Sequence, residues 1–295
     1  MYFFKIIIMG FGKMPADCIE ILLSKGVPIH CVLETEKSGL SPLQGLCERL
    51  AIPFERPSPD QTAAILDSIA GPAVVFSINN NYLFPPVILE KENLRIINFH
   101  NSLLPSYRGH GRAIPTWVIF NGESRHGVTW HLINATGIDD GDILVQDGFA
   151  ISKTDTALTV MMRAVSLGTD LFSGHWKEFV SPQCVGRPQK AKRGRTCHRH
   201  DIPNNGWIDI SWGFEKTDRF LRSTDYGPFN LPLFPRIRIT GKTYWVKSYV
   251  IDKNKTTGDE RILLQHASDG YLTGAEFFYP QGRIVLRLQK EVWDA

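Results

Sequence analysis

The first hundred residues of the chain alternate between short apolar runs and segments whose apolar side chains recur at helical spacing. The opening run, residues 3–9, is almost continuously apolar, which is typical of a strand buried on both faces of a sheet. Further strands are expected at 28–33, 73–78 and 95–99, and helices at 16–25, 41–50, 61–69 and 85–92. Strands separated by helices predict an α/β fold, a mostly parallel sheet with flanking helices. Ligands bind such a sheet at the carboxyl ends of its strands, so we look for a site just after position 99.

Beyond residue 100 the pattern first continues and then changes. A polar loop over 101–112 precedes a helix that ends near residue 120, and two strands and a long helix follow at 127–133, 143–150 and 155–179. From Trp207 onward, short strand-like runs between turn signals predict a smaller β-rich domain, with strands at 236–239, 243–251, 261–264 and 283–289. The expected domains are therefore 1–180 and 206–295, joined by a basic linker over 181–205.

Hydropathy and cysteine usage indicate a cytoplasmic protein. No apolar stretch approaches the roughly 18 residues of a membrane-spanning helix, and the first residues lack the basic start and cleavage site of a signal peptide. The five cysteines include no C-x-x-C pair, so neither a disulfide framework nor a zinc site is indicated. We therefore expect no membrane partner and no metal.

Positive charge is concentrated in residues 187–200, a run with six Lys and Arg residues and no acidic residue. The whole chain carries a net charge of +3, so the remainder is net negative. Such a run is either a solvated linker or a docking patch for an anionic partner, such as RNA, a carrier protein or a phosphorylated substrate. DNA is not an expected partner.

The turn Gly10-Phe11-Gly12 follows the first strand and precedes a helix, as the start of a dinucleotide-binding fingerprint does. Pro15 stands where the third glycine would be, whereas Glu34 at the end of the second strand is placed like a ribose-binding acid. An NAD-dependent dehydrogenase is therefore an alternative function. A tight strand-to-helix turn explains the same two glycines.

Asn98 and His100 share one face at the end of a strand, because residues two apart in an extended chain point the same way. An amide donor beside an imidazole suits acyl transfer to an amine, in which one group stabilises an oxyanion and another removes the amine proton. The acidic segment 137–142 lies between two strands, and one of its carboxylates could orient the histidine and stabilise its charge. Spacing alone does not exclude the alternatives, in which His100 has only a structural role and segment 137–142 is a simple acidic turn.

Three segments resemble the formyltransferases that use 10-formyltetrahydrofolate: NFHNSLLPSYRG at 98–109, NGESRHGVTWHLI at 121–133 and GIDDGDIL at 137–144. That family includes methionyl-tRNA formyltransferases, amino-sugar N-formyltransferases and the formylation domains of nonribosomal peptide synthetases. The resemblance covers about residues 3–180 and implies a Rossmann-like catalytic domain with a smaller, barrel-like C-terminal domain. It also implies that Asn98, His100 and Asp139 are the catalytic residues.

The resemblance further implies 10-formyltetrahydrofolate as co-substrate, bound in a flat, mostly apolar slot. The residues implied to contact it follow strand ends: Ser102, Leu103, Leu104, Pro105, Asn80, Phe84, Gly137 and Asp142. The acceptor is then a primary amine. Because segment 222–229 is more similar to the peptide synthetase domains, the first expectation is an aminoacyl amine of secondary metabolism, with a carrier protein to present it. The alternatives are an amino-sugar nucleotide and initiator tRNA, of which tRNA is not favoured.

Overall fold

The structure, a computed structural model, describes residues 5–35, 41–189, 194–229 and 235–290. In the first part of the chain the elements are β1 (Lys5–Gly10), α1 (Lys13–Ser24), β2 (Cys31–Leu33), α2 (Pro42–Leu50), β3 (Phe54–Glu55), α3 (Pro59–Asp67), β4 (Ala73–Ile78), α4 (Pro86–Leu89), β5 (Leu94–His100), β6 (Tyr107–Gly109), α5 (Ile114–Phe120), β7 (Arg125–Leu132), β8 (Ile143–Ala150) and α6 (Ala157–Phe179). The later elements are β9 (Arg195–Cys197), β10 (Trp207–Ile208), α7 (Phe214–Ser223), β11 (Arg236–Ile239), β12 (Lys242–Asp252), β13 (Arg261–His266), β14 (Leu272–Tyr279) and β15 (Gly282–Lys290).

The predicted fold class is confirmed. A seven-stranded sheet has the order β3-β2-β1-β4-β5-β7-β8, and a six-stranded sheet has the order β10-β11-β12-β15-β14-β13. In the first sheet the strands from β3 to β5 are parallel, whereas β7 and β8 pair antiparallel to their neighbours. The sheet is therefore mostly parallel up to β5 and antiparallel at the edge beyond it.

The residues of β1 show why this strand is the centre of the first sheet. Ile6 and Ile8 pack in one buried apolar cluster, and Ile7 and Met9 pack in another. All four side chains have no exposed surface, since alternate residues of a strand point to opposite faces and helices cover both. The expected strand began at residue 3, but residues 1–4 lie outside the described part of the chain.

By its internal contacts the chain divides into two compact units. The first comprises residues 1–111, 125–150 and 162–197, and the second comprises residues 112–124, 151–161 and 198–295. Within the second unit, helix α7 was not predicted from the sequence. Its Phe214, Thr217, Phe220 and Leu221 are buried at helical spacing against the six-stranded sheet.

The segment expected as a linker contains ordered contacts with the first unit. Arg187 exchanges backbone hydrogen bonds with Ile143 on β8, and Arg195–Cys197 forms strand β9, which pairs with β6. Residues 190–193, which carry much of the basic run, lie outside the described residues. Among the described helices, none combines the length and apolarity that crossing a membrane requires.

Candidate active site

The register of β5 and β7 places Asn98 directly opposite His131. The Nδ1 of His131 lies 2.8 Å from the carbonyl oxygen of Leu132 and therefore carries the proton that this contact needs. The other ring nitrogen, Nε2, lies 3.1 Å from the side-chain Nδ2 of Asn98 and accepts from that amide when the ring is neutral. The antiparallel pairing thus holds the Asn98 amide in one orientation at the strand end.

His100 closes the same strand and is buried, with 3% of its surface exposed. Its Nε2 donates to the carbonyl oxygen of Tyr107 at 2.8 Å, an oxygen that also accepts from the hydroxyl of Ser102 at 2.5 Å. Its Nδ1 lies 3.5 Å from the Oδ2 of Asp139. Burial lowers the pKa of His100, while the negative charge of Asp139 acts in the opposite direction and raises it.

Asp139 reaches the histidines from the loop between β7 and β8. Its backbone adopts a left-handed conformation, with φ of 54°, and its Oδ2 accepts from the backbone N–H of Gly109 at 2.7 Å. Burial alone would raise the pKa of Asp139, but His100, His131 and the Gly109 N–H together hold the pKa well below its ordinary value. The carboxylate is therefore ionised at neutral pH, beside two imidazole rings.

A simple acidic turn would place the neighbouring Asp140 in solvent, but the structure buries most of its side chain. Its carboxylate forms an ion pair with the guanidinium of Arg108, and the two side chains are 12% and 6% exposed. Arg108 also donates to Gln189 at 3.2 Å, and Gln189 donates to the backbone oxygens of Asp139 and Gly141, both at 2.7 Å. This network fixes the turn that presents Asp139.

Residues 102–105 follow β5 and are tied to the strands beside it. The Oγ1 of Thr129 donates to the carbonyl of Ser102 at 2.6 Å and accepts from the N–H of Leu104 at 3.2 Å. The Leu104–Pro105 peptide bond is cis, and the Leu104 carbonyl accepts from Gln146. Leu103 packs against the backbone of β7 and β8, where a Cβ on Gly127 would come within 2.6 Å of it. The segment is thus rigidly placed beside His100.

The other residues expected to bind the co-substrate also follow strand ends in the first unit. Asn80 accepts from Thr35 and from the Tyr82 N–H and donates to Ser77, and the ring of Phe84 packs edge-to-face against Tyr82 at 5.1 Å. A Cβ on Gly137 would lie 2.5 Å from the carboxylate of Asp140, and the carbonyl of Asp142 accepts from the N–H of Leu132. Binding of the co-substrate by these residues remains a prediction.

Glu34 and Gly10, which suggested a dinucleotide site, each have a structural role in the first unit. The carboxylate of Glu34 is 5% exposed and pairs with the Nε of Arg56 at 3.3 Å. A Cβ on Gly10 would lie 1.8 Å from the carbonyl oxygen of Ile78, so the close approach of β1 to β4 requires glycine there. These contacts favour the tight-turn interpretation over the ribose-binding one.

Sequence reasoning missed three residues of this centre: His131, Arg108 and Gln189. His131 is two residues after Thr129, and this spacing could have placed both side chains on one face of a strand. Arg108 and Gln189 are far apart in sequence and carry no comparable signal. Only the folded chain brings them to the 137–142 turn.

Comparisons with known proteins converge on one kind of enzyme. Residues 57–174 match the formyl transferase family. The chain is 27% identical over 259 residues to the GDP-perosamine N-formyltransferase of Brucella melitensis biotype 1, covering 86% of this chain and 96% of that protein. It is 29% identical over 177 residues to the methionyl-tRNA formyltransferase of Clostridioides difficile, covering 56% of each chain.

A solved structure shares the fold of the whole chain. The N-formyltransferase from Helicobacter canadensis, in complex with folinic acid and dTDP-3-aminofucose, superimposes with a TM-score of 0.73. The match covers 97% of this chain and 100% of that one, at 18% sequence identity. At that identity the similarity concerns the fold.

Proposed function

We propose that this chain, whose residues 57–174 match the formyl transferase family, transfers the formyl group of 10-formyltetrahydrofolate to the primary amine of a nucleotide-linked amino sugar. We infer the acceptor class from how much of each relative's length this chain matches. The GDP-perosamine enzyme matches over nearly its whole length, whereas the methionyl-tRNA enzyme matches over 56% of its length. The comparisons favour this acceptor over the aminoacyl amine first expected from residues 222–229.

The co-substrate fits the donor set at the end of β5. The Asn98 amide nitrogen has two N–H groups, of which one is directed at His131, and the other would donate to the formyl oxygen. That oxygen gains negative charge when an amine attacks the formyl carbon, so a fixed donor at this position lowers the barrier. Two proteins of the same fold have structures with folinic acid and with tetrahydrofolic acid, which supports 10-formyltetrahydrofolate as the co-substrate.

His100 and Asp139 would handle the proton of the attacking amine. The amine nitrogen loses a proton as the new C–N bond forms, and the imidazole of His100 would accept it and return it to the departing folate nitrogen. The ionised Asp139, 3.5 Å from Nδ1, stabilises the imidazolium that this transfer creates. The network of Arg108, Asp140 and Gln189 would keep that carboxylate in position.

The proposal is tested by incubating the protein with 10-formyltetrahydrofolate and separate amine acceptors. The acceptors are GDP-linked and dTDP-linked amino sugars, an aminoacyl carrier protein and methionyl-tRNA. Mass spectrometry should detect the gain of one carbonyl group on an amino-sugar nucleotide. The variant His100→Asn should lower turnover by about 10²–10⁴-fold, because that is the usual contribution of a general acid–base group.

A matched control is His175→Asn, since His175 is partly exposed on α6 and pairs with Glu178. This variant should keep wild-type turnover. Formylation of the carrier-bound amine, with none of the sugar nucleotides, would reverse the proposed acceptor class. Near-normal turnover of His100→Asn would remove His100 from the mechanism.

A further inference from the structure

Three side chains at the end of β5 bring their ligating atoms together. His100, His131 and Asp139 each offer one nitrogen or oxygen atom, and these atoms lie within 4.8 Å of one another. The Nδ1 of His100 and the Nε2 of His131 are each 3.5 Å from a carboxylate oxygen of Asp139. Two imidazoles and a carboxylate are ligands that zinc and neighbouring transition metals prefer.

In metal-binding histidines, the ring nitrogen that does not bind the metal usually donates a hydrogen bond that orients the ring. Both histidine rings of this cluster have such a hydrogen bond. The Nε2–H of His100 donates to the Tyr107 carbonyl, and the Nδ1–H of His131 donates to the Leu132 carbonyl, both at 2.8 Å. In each neutral ring the remaining nitrogen therefore carries a lone pair. These partners fix the ring orientation and the tautomer before any ion arrives.

The Asn98 amide donates to the lone pair of His131, whereas the lone pair on Nδ1 of His100 faces the ionised carboxylate of Asp139. A positive charge placed between these three side chains would relieve that repulsion, and a metal ion can provide it. For metal–ligand bonds of about 2.0–2.2 Å in tetrahedral geometry, ligand atoms are separated by roughly 3.4 Å. The observed separations are close to this value, at 3.5 Å from Oδ2 of Asp139 to Nδ1 of His100 and 3.5 Å from Oδ1 of Asp139 to Nε2 of His131, and the three ligating atoms lie within 4.8 Å of one another.

We propose that His100, His131 and Asp139 form a binding site for one divalent transition-metal ion of the zinc class, and that the ion inhibits formyl transfer. The second part rests on the proposed function. An ion bound to Nδ1 of His100 and to Asp139 takes the place of the imidazolium proton, so the pair no longer accepts a proton from the amine. Magnesium and calcium prefer all-oxygen sites and should not bind here.

Asn98 makes a sharper test possible. Its amide Nδ2 contacts the same His131 Nε2 lone pair that the ion would use, so the wild-type amide competes with the metal. Asn98→Asp would place a carboxylate oxygen where this donor now lies, 3.1 Å from Nε2 of His131, and would offer the ion a fourth ligand. This variant should bind the metal more tightly than wild type, an effect that partial unfolding cannot imitate.

The experiment titrates metal-stripped protein with Co²⁺, followed by its visible absorption, and then displaces Co²⁺ with Zn²⁺. Wild type should bind one ion per chain. His131→Gln and Asp139→Asn should weaken affinity at least tenfold, Asn98→Asp should strengthen it about tenfold, and His175→Gln should leave it unchanged. Circular dichroism spectra of all variants would show that they are folded.

In parallel, Zn²⁺ should slow formyl transfer over the same concentrations that fill the site, and a chelator should restore the rate. Equal metal affinity in all variants, or failure of wild type to bind Co²⁺ and Zn²⁺, would overturn the metal site. Binding without inhibition would overturn the inhibitory role alone. Metal binding by a chain that formylates no acceptor would leave the site intact and count against the proposed function instead.

Discussion

Asp139 and Asp140 are neighbours in the chain, but their carboxylates have different partners. Asp139 faces His100 and His131, whereas Asp140 pairs with the buried guanidinium of Arg108. The left-handed backbone at Asp139 lets both side chains turn inward from a single bend. Their substitutions should therefore have different consequences.

Asp139→Asn should lower turnover and change its pH dependence. The charge of Asp139 raises the pKa of His100, so its removal lowers that pKa further. Because His100 accepts a proton in its neutral form, the rate rises as pH rises through this pKa, and in the variant the rise should occur at lower pH. The measurement is the pH profile of kcat/KM for both proteins.

Asp140→Asn is the matched comparison at the adjacent position. It leaves the Arg108 guanidinium buried without its counter-charge, which typically costs about 3–5 kcal/mol of folding stability. Its pH profile should stay closer to the wild-type midpoint than that of Asp139→Asn, because the charge of Asp139 is the one that raises the pKa of His100. A displaced midpoint in Asp140→Asn, with none in Asp139→Asn, would exchange the roles of the two residues.

Among the elements, α6 shows how packing can reverse an intrinsic preference. The helix contains two glycines, Gly168 and Gly174, and alanine is ordinarily the better helix former at such positions. A Cβ on Gly168 would lie 2.2 Å from the ring of Phe99 and 2.8 Å from the methyl group of Met14. Around Gly174 a Cβ would meet nothing within 4 Å.

The two substitutions to alanine should therefore have opposite signs. Gly168→Ala should destabilise the protein by about 1–3 kcal/mol through overpacking. Gly174→Ala should stabilise it by about 0.5–1 kcal/mol, because the backbone entropy of the unfolded chain is reduced. Urea unfolding of both variants measures these differences. If the Gly168→Ala variant were more stable than wild type, α6 would be able to move away from β5 at little cost in folding free energy.

At the scale of the whole molecule, buried histidines make folding sensitive to acid. His126 is 2% exposed and donates from Nε2 to the side-chain oxygen of Asn101 at 2.9 Å. Burial, with a smaller contribution from the charge of His100, lowers the pKa of His126 from 6.5 to about 3. Between these two pH values the unfolded chain binds a proton at this residue that the folded chain does not bind.

The free energy of unfolding should therefore fall as pH drops below 6.5, by up to about 1.4 kcal/mol per pH unit from this group. His126→Gln keeps a donor for Asn101 and removes the titrating ring. Its unfolding free energy should be lower than that of wild type at pH 7, and the gap should narrow towards pH 5. Urea unfolding at several pH values measures this gap, and parallel curves for the two proteins would contradict the assignment.

Much of this molecule could be predicted from local patterns in the sequence. The alternation of apolar runs and helical segments predicts the α/β sheet, because burial on two faces requires continuous apolar strands. The two-residue spacing of Asn98 and His100 places both at one strand end, because that relation depends only on extended backbone geometry. The helix α7 was missed, since its neighbours are strands and its ten residues were interpreted with them.

The remaining features depend on pairings between distant parts of the chain, which only the tertiary structure decides. The antiparallel register of β7 on β5 brings His131 to Asn98, and no local pattern specifies that direction or register. The backbone conformation at Asp139 determines which of two adjacent carboxylates meets His100, and Arg108 takes the other. Sequence by itself determined which residue types stand at the strand end. The folded chain decided which partners these residues have. Charges and hydrogen bonds act between side chains that are close in space, and the spacing of residues in the sequence does not show which distant residues will be close.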